Sequence, residues 1–266
     1  MTELTSENSY SSPERETGWF FRRFPSAAFY AGILYVILKA AGLAKRGQYH
    51  AEAWIDSSLH CVDLFERVGG RFVIENLDIV RGSASPCVFV GNHMSVLETF
   101  ILPCLIRPYR KVTFVIKQSL LAYPVFKHVM VSREPIVVGR SDPRQDLRTV
   151  LKEGTDRLNQ GKSVIVFPQT TRSLGFDPKK FNSLGVKLAR RAGVPVVPFA
   201  LKTDAWGVGA RFKDLGRIRP RKTARFCFGE ALTVAGTGKE EHQVVVDFIS
   251  RKLGEWKSEV RPDQDQ

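Results

Sequence analysis

The sequence predicts an α/β fold with a largely parallel central sheet flanked by helices, preceded by an N-terminal helical hairpin. Three observations carry this. Short, mostly apolar runs recur at 87–90, 112–116, 136–138 and 163–167, each the length of a buried strand. Helix-length segments separate them, at 95–106 and 144–159, and strands alternating with helices build parallel sheets. Ahead of them stands a 15-residue run without a charge, from Phe24 to Leu38. With 266 residues, 43 % of them hydrophobic, the chain can close one substantial core.

Taken in order, residues 1–17 are polar, rich in Ser, Thr and Glu, and read as a disordered tail with no secretory signal. Residues 18–70 read as the hairpin. Trp19, Phe20, Phe21 and Phe24 with Arg22 and Arg23 open it, and these residue types settle at a bilayer interface. The uncharged run is short of the about 20 apolar residues that a spanning helix needs. A second segment, 51–68, places Trp54, Ile55, Leu59, Val62, Leu64 and Phe65 at near-helical spacing. The pair reads as lying in one leaflet, against the alternatives of two ordinary core helices or a single span. Gly69 and Gly70 end it, and residues 71–266 form the α/β domain. That domain begins with a strand at 71–75 and a loop at 81–86. Ser141, Asp142 and Pro143 cap the helix at 144–159, and Gly193 stops another at 182–192. Pro195 and Pro198 argue that the strand at 194–198 lies at an edge or a terminus. A strand at 224–228 and an amphipathic helix at 240–255 complete the chain.

Net charge is +13, unevenly spread: residues 106–225 hold 26 Lys and Arg against 8 Asp and Glu. This basic body implies an anionic partner, such as a membrane surface of anionic lipids, a phosphate-bearing substrate or an acidic carrier protein. No helix-turn-helix, RNA-binding strand or zinc finger accompanies it, so nucleic acid is not expected. Cys61, Cys87, Cys104 and Cys227 are scattered, which speaks for thiols in a reducing compartment and no metal site.

Polar groups gather at three strand ends. The first is Asn92-His93 with Glu98 five residues past the histidine, at a strand-to-helix turn. A carboxylate on one imidazole nitrogen readies the other to take a proton. The second is Gly139-Arg140, with Arg144 a turn later. The third is Phe167-Pro168-Gln169-Thr170-Thr171-Arg172-Ser173. In a parallel sheet such ends open on one edge. A base beside two guanidinium groups suits a phosphate-bearing alcohol that must lose its proton.

These motifs, in this order and followed by Val194-Pro195-Val196-Val197-Pro198, resemble the glycerolipid acyltransferase family, whose central members are 1-acylglycerol-3-phosphate acyltransferases. The resemblance covers roughly residues 85–230, and Lys117 with Leu120 resembles that family's Lys-x-x-Leu stretch. It implies a transfer from acyl-CoA or acyl carrier protein to the hydroxyl of a lysophospholipid. His93 would be the base and Glu98 its partner, with Arg140, Arg172 and Lys117 at the phosphate. Pro168, Gln169, Thr170, Thr171 and Ser173 would form the third motif on the acceptor side, and Val194, Pro195 and Pro198 would shape the acyl pocket. It further implies an enzyme on the cytoplasmic face of a membrane, working without a cofactor.

Two positions depart from the family pattern. Glu98 replaces the usual Asp, and Gln169-Thr170 replaces Glu-Gly. The first puts the reach of the carboxylate in question, the second the acceptor headgroup. Two other readings stand beside the transferase. One is a Ser-dependent thioesterase or esterase, for which Ser95 is close to His93 but no Gly-x-Ser-x-Gly elbow occurs. The other is a non-catalytic protein of the same fold that binds membrane surfaces.

Overall fold

The computed structural model describes residues 7–82, 86–169, 171–209 and 213–259. Its frame is an eight-stranded sheet in the order β1-β2-β8-β7-β3-β6-β4-β5. The strands are β1 (Tyr10–Ser11), β2 (Phe72–Glu75), β3 (Val88–Gly91), β4 (Val112–Lys117), β5 (Ile136–Val138), β6 (Ser163–Val166), β7 (Val196–Lys202) and β8 (Ala224–Phe228). From β7 through β5 all neighbours run parallel, as do β2 and β8. Only β1 with β2 and β7 with β8 are antiparallel. The sheet is therefore mixed, with the expected parallel centre.

Helices cover both faces. They are α1 (Trp19–Arg23), α2 (Pro25–Lys45), α3 (Ala51–Arg67), α4 (Leu77–Gly82), α5 (Leu97–Ile106), α6 (Pro124–Val131), α7 (Pro143–Asn159), α8 (Leu184–Ala192) and α9 (Lys239–Ser258). Residues alternate in direction along β3. Phe89 joins a core layer with α2, α3 and α5, while Val88 and Val90 join the other with α7, α8 and α9. A strand covered on both faces needs apolar residues at every position, which explains its unbroken run. As expected, Asp142 caps α7, accepting from the Arg144 and Gln145 amides at 2.9 and 3.2 Å, and α8 ends on Gly193 in the left-handed conformation.

Three expectations need correction. Of the tail read as disordered, residues 7–17 are structured, and residues 1–6 lie outside the described residues. β1 pairs with β2, and the Tyr10 and Ser12 hydroxyls both donate to the buried Glu66 carboxylate at 2.6 Å. A polar segment is held here because it satisfies a buried charge. Second, the strand containing Pro198 is interior, between β8 and β3. Pro195 precedes it, and Pro198 lies just before the β8 ladder, opposite Gly229, where its carbonyl accepts from the Gly229 amide at 2.8 Å and only its own missing N–H goes unpaired. Third, residue 70 separates nothing. α3 packs on α5, and Cys61, Val62 and Phe65 share one core with Phe72 and Phe226. Here the core-helix alternative holds for α3. α2 is divided: Phe29, Ile33, Val36, Ala40 and Ala41 are buried, while Leu34, Tyr35 and Leu38 are exposed. All four cysteines are buried thiols.

Candidate active site

β3 ends at Gly91, where only glycine fits against Phe199: a Cβ would stand 2.2 Å from that ring. The turn that follows is bolted to β7 by Asn92, whose amide nitrogen donates to the Leu201 carbonyl at 2.8 Å. Its oxygen accepts from the Leu201 amide at 2.9 Å. The His93 backbone is held on both sides by the third motif. Its amide donates to Gln169 Oε1 at 2.6 Å, and its carbonyl accepts from the Ser173 amide at 2.9 Å. The His93 ring stacks on Phe167, with centroids 4.3 Å apart and planes 18° from parallel.

Glu98 lies in the first turn of α5 with its side chain wholly buried. One oxygen, Oε1, meets His93 Nδ1 at 2.9 Å and accepts from the Met94 and Ser95 amides at 2.7 and 2.8 Å. The other, Oε2, accepts from the Ser95 hydroxyl at 2.9 Å and the Thr203 hydroxyl at 2.6 Å. Burial alone would push this carboxyl up. The His93 bond and charge, followed by the Thr203 hydroxyl and the backbone amides, outweigh it and hold the carboxyl below its usual range. An ionised carboxylate only accepts, so in the neutral ring Nδ1 carries the hydrogen and Nε2 is the nitrogen left to take a proton. Among the described residues Nε2 has no hydrogen-bond partner. The extra methylene of Glu98 therefore does not stop it from reaching the imidazole.

The remaining predicted residues fall into two groups. Along the carboxyl edge of β3, β6, β4 and β5 stand His93, Arg172, Lys117 and Arg140 in that order. Arg172 pairs with Asp214. Lys117 is exposed at the end of β4, opposite Val138. Arg140 has a positive φ of 64°, and its amide and that of Gly139 donate to the Asp146 carboxylate at 2.9 and 3.0 Å. Partial burial lowers the pKa of its guanidinium; Asp146 opposes that, and the positive charge of Arg172 adds to it. The two arginines thus share one field, and Arg172, Lys117 and Arg140 lie on the same side of His93 in the strand order. Pro168 and Gln169 are buried there, Thr171 and Ser173 are exposed, and Thr170 lies outside the described residues.

Val194 and Pro195 are elsewhere. The Pro195 carbonyl accepts from the Val88 amide at 3.0 Å, at the opposite end of β3 from the histidine. Pro198 is buried opposite Val90. Val194 and Pro195 thus stand at the amino-terminal side of the sheet, away from His93, contrary to the expectation of an acyl pocket, whereas Pro198 lies near the carboxyl end of β3. No local pattern marks Thr203, which meets Glu98 across 105 residues, or Phe167 as a ring partner for the imidazole. Ser95 is 2 % exposed with its hydroxyl committed to Glu98, which removes it as a nucleophile.

The family pattern described as Acyltransferase matches residues 71–202, from β2 through the end of β7, and so contains every strand of this edge. The chain belongs to the acyltransferase family. Over 192 residues this acyltransferase is 29 % identical to the 1-acyl-sn-glycerol-3-phosphate acyltransferase of Pseudomonas aeruginosa, covering 72 % of this chain and 69 % of that one. It is 33 % identical over 128 residues to a chloroplastic 1-acyl-sn-glycerol-3-phosphate acyltransferase of Brassica napus, where the match spans 48 % of this chain and 36 % of the relative. In fold it resembles the 1-acyl-sn-glycerophosphate (LPA) acyltransferase PlsC of Thermotoga maritima. The TM-score is 0.66 at 19 % identity, over 91 % of this chain and 98 % of that one.

Proposed function

We propose that this acyltransferase moves a fatty acyl group from a thioester, acyl-CoA or acyl carrier protein, to the free hydroxyl of 1-acyl-sn-glycerol-3-phosphate at the cytoplasmic face of a membrane. The observation that carries the reading is the buried Glu98, its carboxyl held below the usual range, meeting His93 Nδ1 at 2.9 Å while Nε2 has no hydrogen-bond partner among the described residues. Nε2 takes the proton of the acceptor hydroxyl as its oxygen attacks the thioester carbonyl carbon. The new C–O bond forms, the C–S bond breaks, and the thiolate leaves as a thiol with the proton that His93 returns. Glu98 stays ionised throughout and steadies the imidazolium. Arg172 and Arg140, with Lys117, receive the acceptor phosphate, for which planar guanidinium groups are suited. The thioester is already activated, so the scheme calls for no metal or prosthetic group. Gln169 supports catalysis in this scheme, since its oxygen holds the His93 amide as a Glu oxygen would.

The test is acyl transfer by the purified full-length protein to 1-acyl-sn-glycerol-3-phosphate, from each donor in turn, with the product read by mass spectrometry. His93→Ala should lose on the order of 10²–10⁴ in kcat, the worth of a positioned base. Full activity in that variant would end the mechanism. Product formed with one donor alone would assign the thioester.

A further inference from the structure

We propose that Thr203 is a positioning residue for the His93–Glu98 pair, and that its hydroxyl is what lets a Glu serve where the family pattern has Asp. The inference rests on the reading of His93 as the base. All three donors to Glu98 Oε1 come from the turn itself, residues 93–95. Ser95, which also donates to Oε2, belongs to that turn and accepts from the Leu97 amide at 3.1 Å. Among the described residues Thr203 alone reaches the carboxylate from another element. It is fully buried, follows directly on β7, and donates to Oε2 at 2.6 Å.

This outside contact has a fixed origin. Two residues earlier the Leu201 backbone is clamped by the Asn92 amide, so the end of β7 cannot slide relative to the turn. The carboxylate is therefore held across its width, Oε1 by the turn alone and Oε2 by the turn and the end of β7 together. An Asp carboxylate would withdraw toward α5 by about 1.5 Å, one C–C bond. It could then keep the contact with His93 or with Thr203, but not both. The longer acid and the threonine form a unit: one supplies reach, the other stops the added methylene from letting the carboxylate swing. Rotation of the carboxylate would turn the imidazole with it and move Nε2 off the line to the acceptor hydroxyl.

The experiment compares Thr203→Val, which keeps the shape and removes the hydroxyl, with Thr203→Ser, which keeps the hydroxyl and loses the methyl group. Both are measured in the full-length enzyme with its thioester and lysophospholipid. Thr203→Val should lower kcat about tenfold, the kinetic equivalent of one charge-assisted hydrogen bond, with either KM unchanged within about twofold. Thr203→Ser should stay within about threefold of the parent. In a Glu98→Asp background Thr203→Val should add less than about twofold, because the contact is already gone. A packing role predicts the reverse order, with Val tolerated and Ser impaired, and that result overturns the proposal. So does full multiplicative loss in the double variant. If Thr203→Val does not fold, Thr203→Ala against Thr203→Ser makes the same comparison. Loss in His93→Ala without loss in Thr203→Val removes the positioning role and leaves the mechanism. An active His93→Ala removes both.

Discussion

Glu98 carries a negative charge where water does not reach, and that has a consequence beyond catalysis. Its carboxyl is held below the usual range in the folded chain despite burial, which pushes the other way. A depressed carboxyl stabilises the fold at every pH above its unfolded value of about 4.3, and that contribution is lost as the pH falls through the folded value. Denaturant melts taken from pH 7 downward should therefore show stability falling below about pH 4.3, with Glu98→Gln flatter over the same range. At pH 7 the variant should be less stable by about 1–3 kcal/mol, since an amide nitrogen now faces buried donors. His93 and Glu98 were legible in the sequence because both lie within one turn. Thr203 was not, since nothing local marks a threonine after a strand as a partner for an acid 105 residues away. Gln169 shows a different limit. As a departure from the family pattern it looked like a lost charge, and only the 2.6 Å bond to the His93 amide shows what the oxygen does.

At the scale of elements, the site depends on how closely β3 and β7 approach. Gly91 faces Phe199, Phe199 stands edge-on to Phe167 with ring centroids 5.8 Å apart, and Phe167 stacks on His93. A methyl group at Gly91 meets the Phe199 ring at 2.2 Å, so something must move. Gly91→Ala should cost about 1–3 kcal/mol of stability through overpacking. It should also lower kcat by passing the displacement through two rings to the imidazole. A thermal melt and a steady-state assay on the same preparation check both effects, and unchanged kcat would show that Phe167 buffers the histidine. The parallel strands were readable because burial on both faces makes them uniformly apolar. β1 was not: its two residues are polar, and its reason for pairing is the Glu66 carboxylate that Tyr10 and Ser12 satisfy. The interior place of β7 was hidden by its prolines. The strand tolerates Pro198 because its carbonyl still accepts from the Gly229 amide, so a single N–H bond at the start of the β8 ladder is all that is given up.

For the whole molecule, the question is how an enzyme with one core presents its edge to lipid. α2 is 21 residues long and contains an apolar stretch with a mean hydropathy of 1.7, enough by length and composition to cross a bilayer. Yet one of its faces is spent on the body, where Phe29 meets Phe65 and Trp206 with ring centroids 6.0 and 5.1 Å apart. The opposite face leaves Leu34, Tyr35 and Leu38 exposed, continuing from Trp19, Phe20 and Phe24 in and beside α1. α6, packed against α2, adds exposed Val125 and Val131, and Tyr123 just before it is exposed too. A helix with one face packed on its own protein is not ringed by acyl chains, which is why we propose that α2 lies in one leaflet and does not span. The charge follows the same plan: the basic excess falls between residues 106 and 225, within the stretch that holds the cations of the active edge. Burial of a leucine side chain in an apolar medium is worth about 1.5–3 kcal/mol. Replacing Leu34 and Leu38 together by Asp should therefore weaken binding to anionic vesicles about a hundredfold or more in a flotation assay. The thermal melt should change little, since both side chains are already in water. Raising salt should weaken the parent's binding by screening the cations without abolishing it, because the apolar part is unscreened. Equal flotation of parent and variant would show that α2 does not enter the leaflet, and binding abolished by salt alone would leave charge as the whole of the attraction.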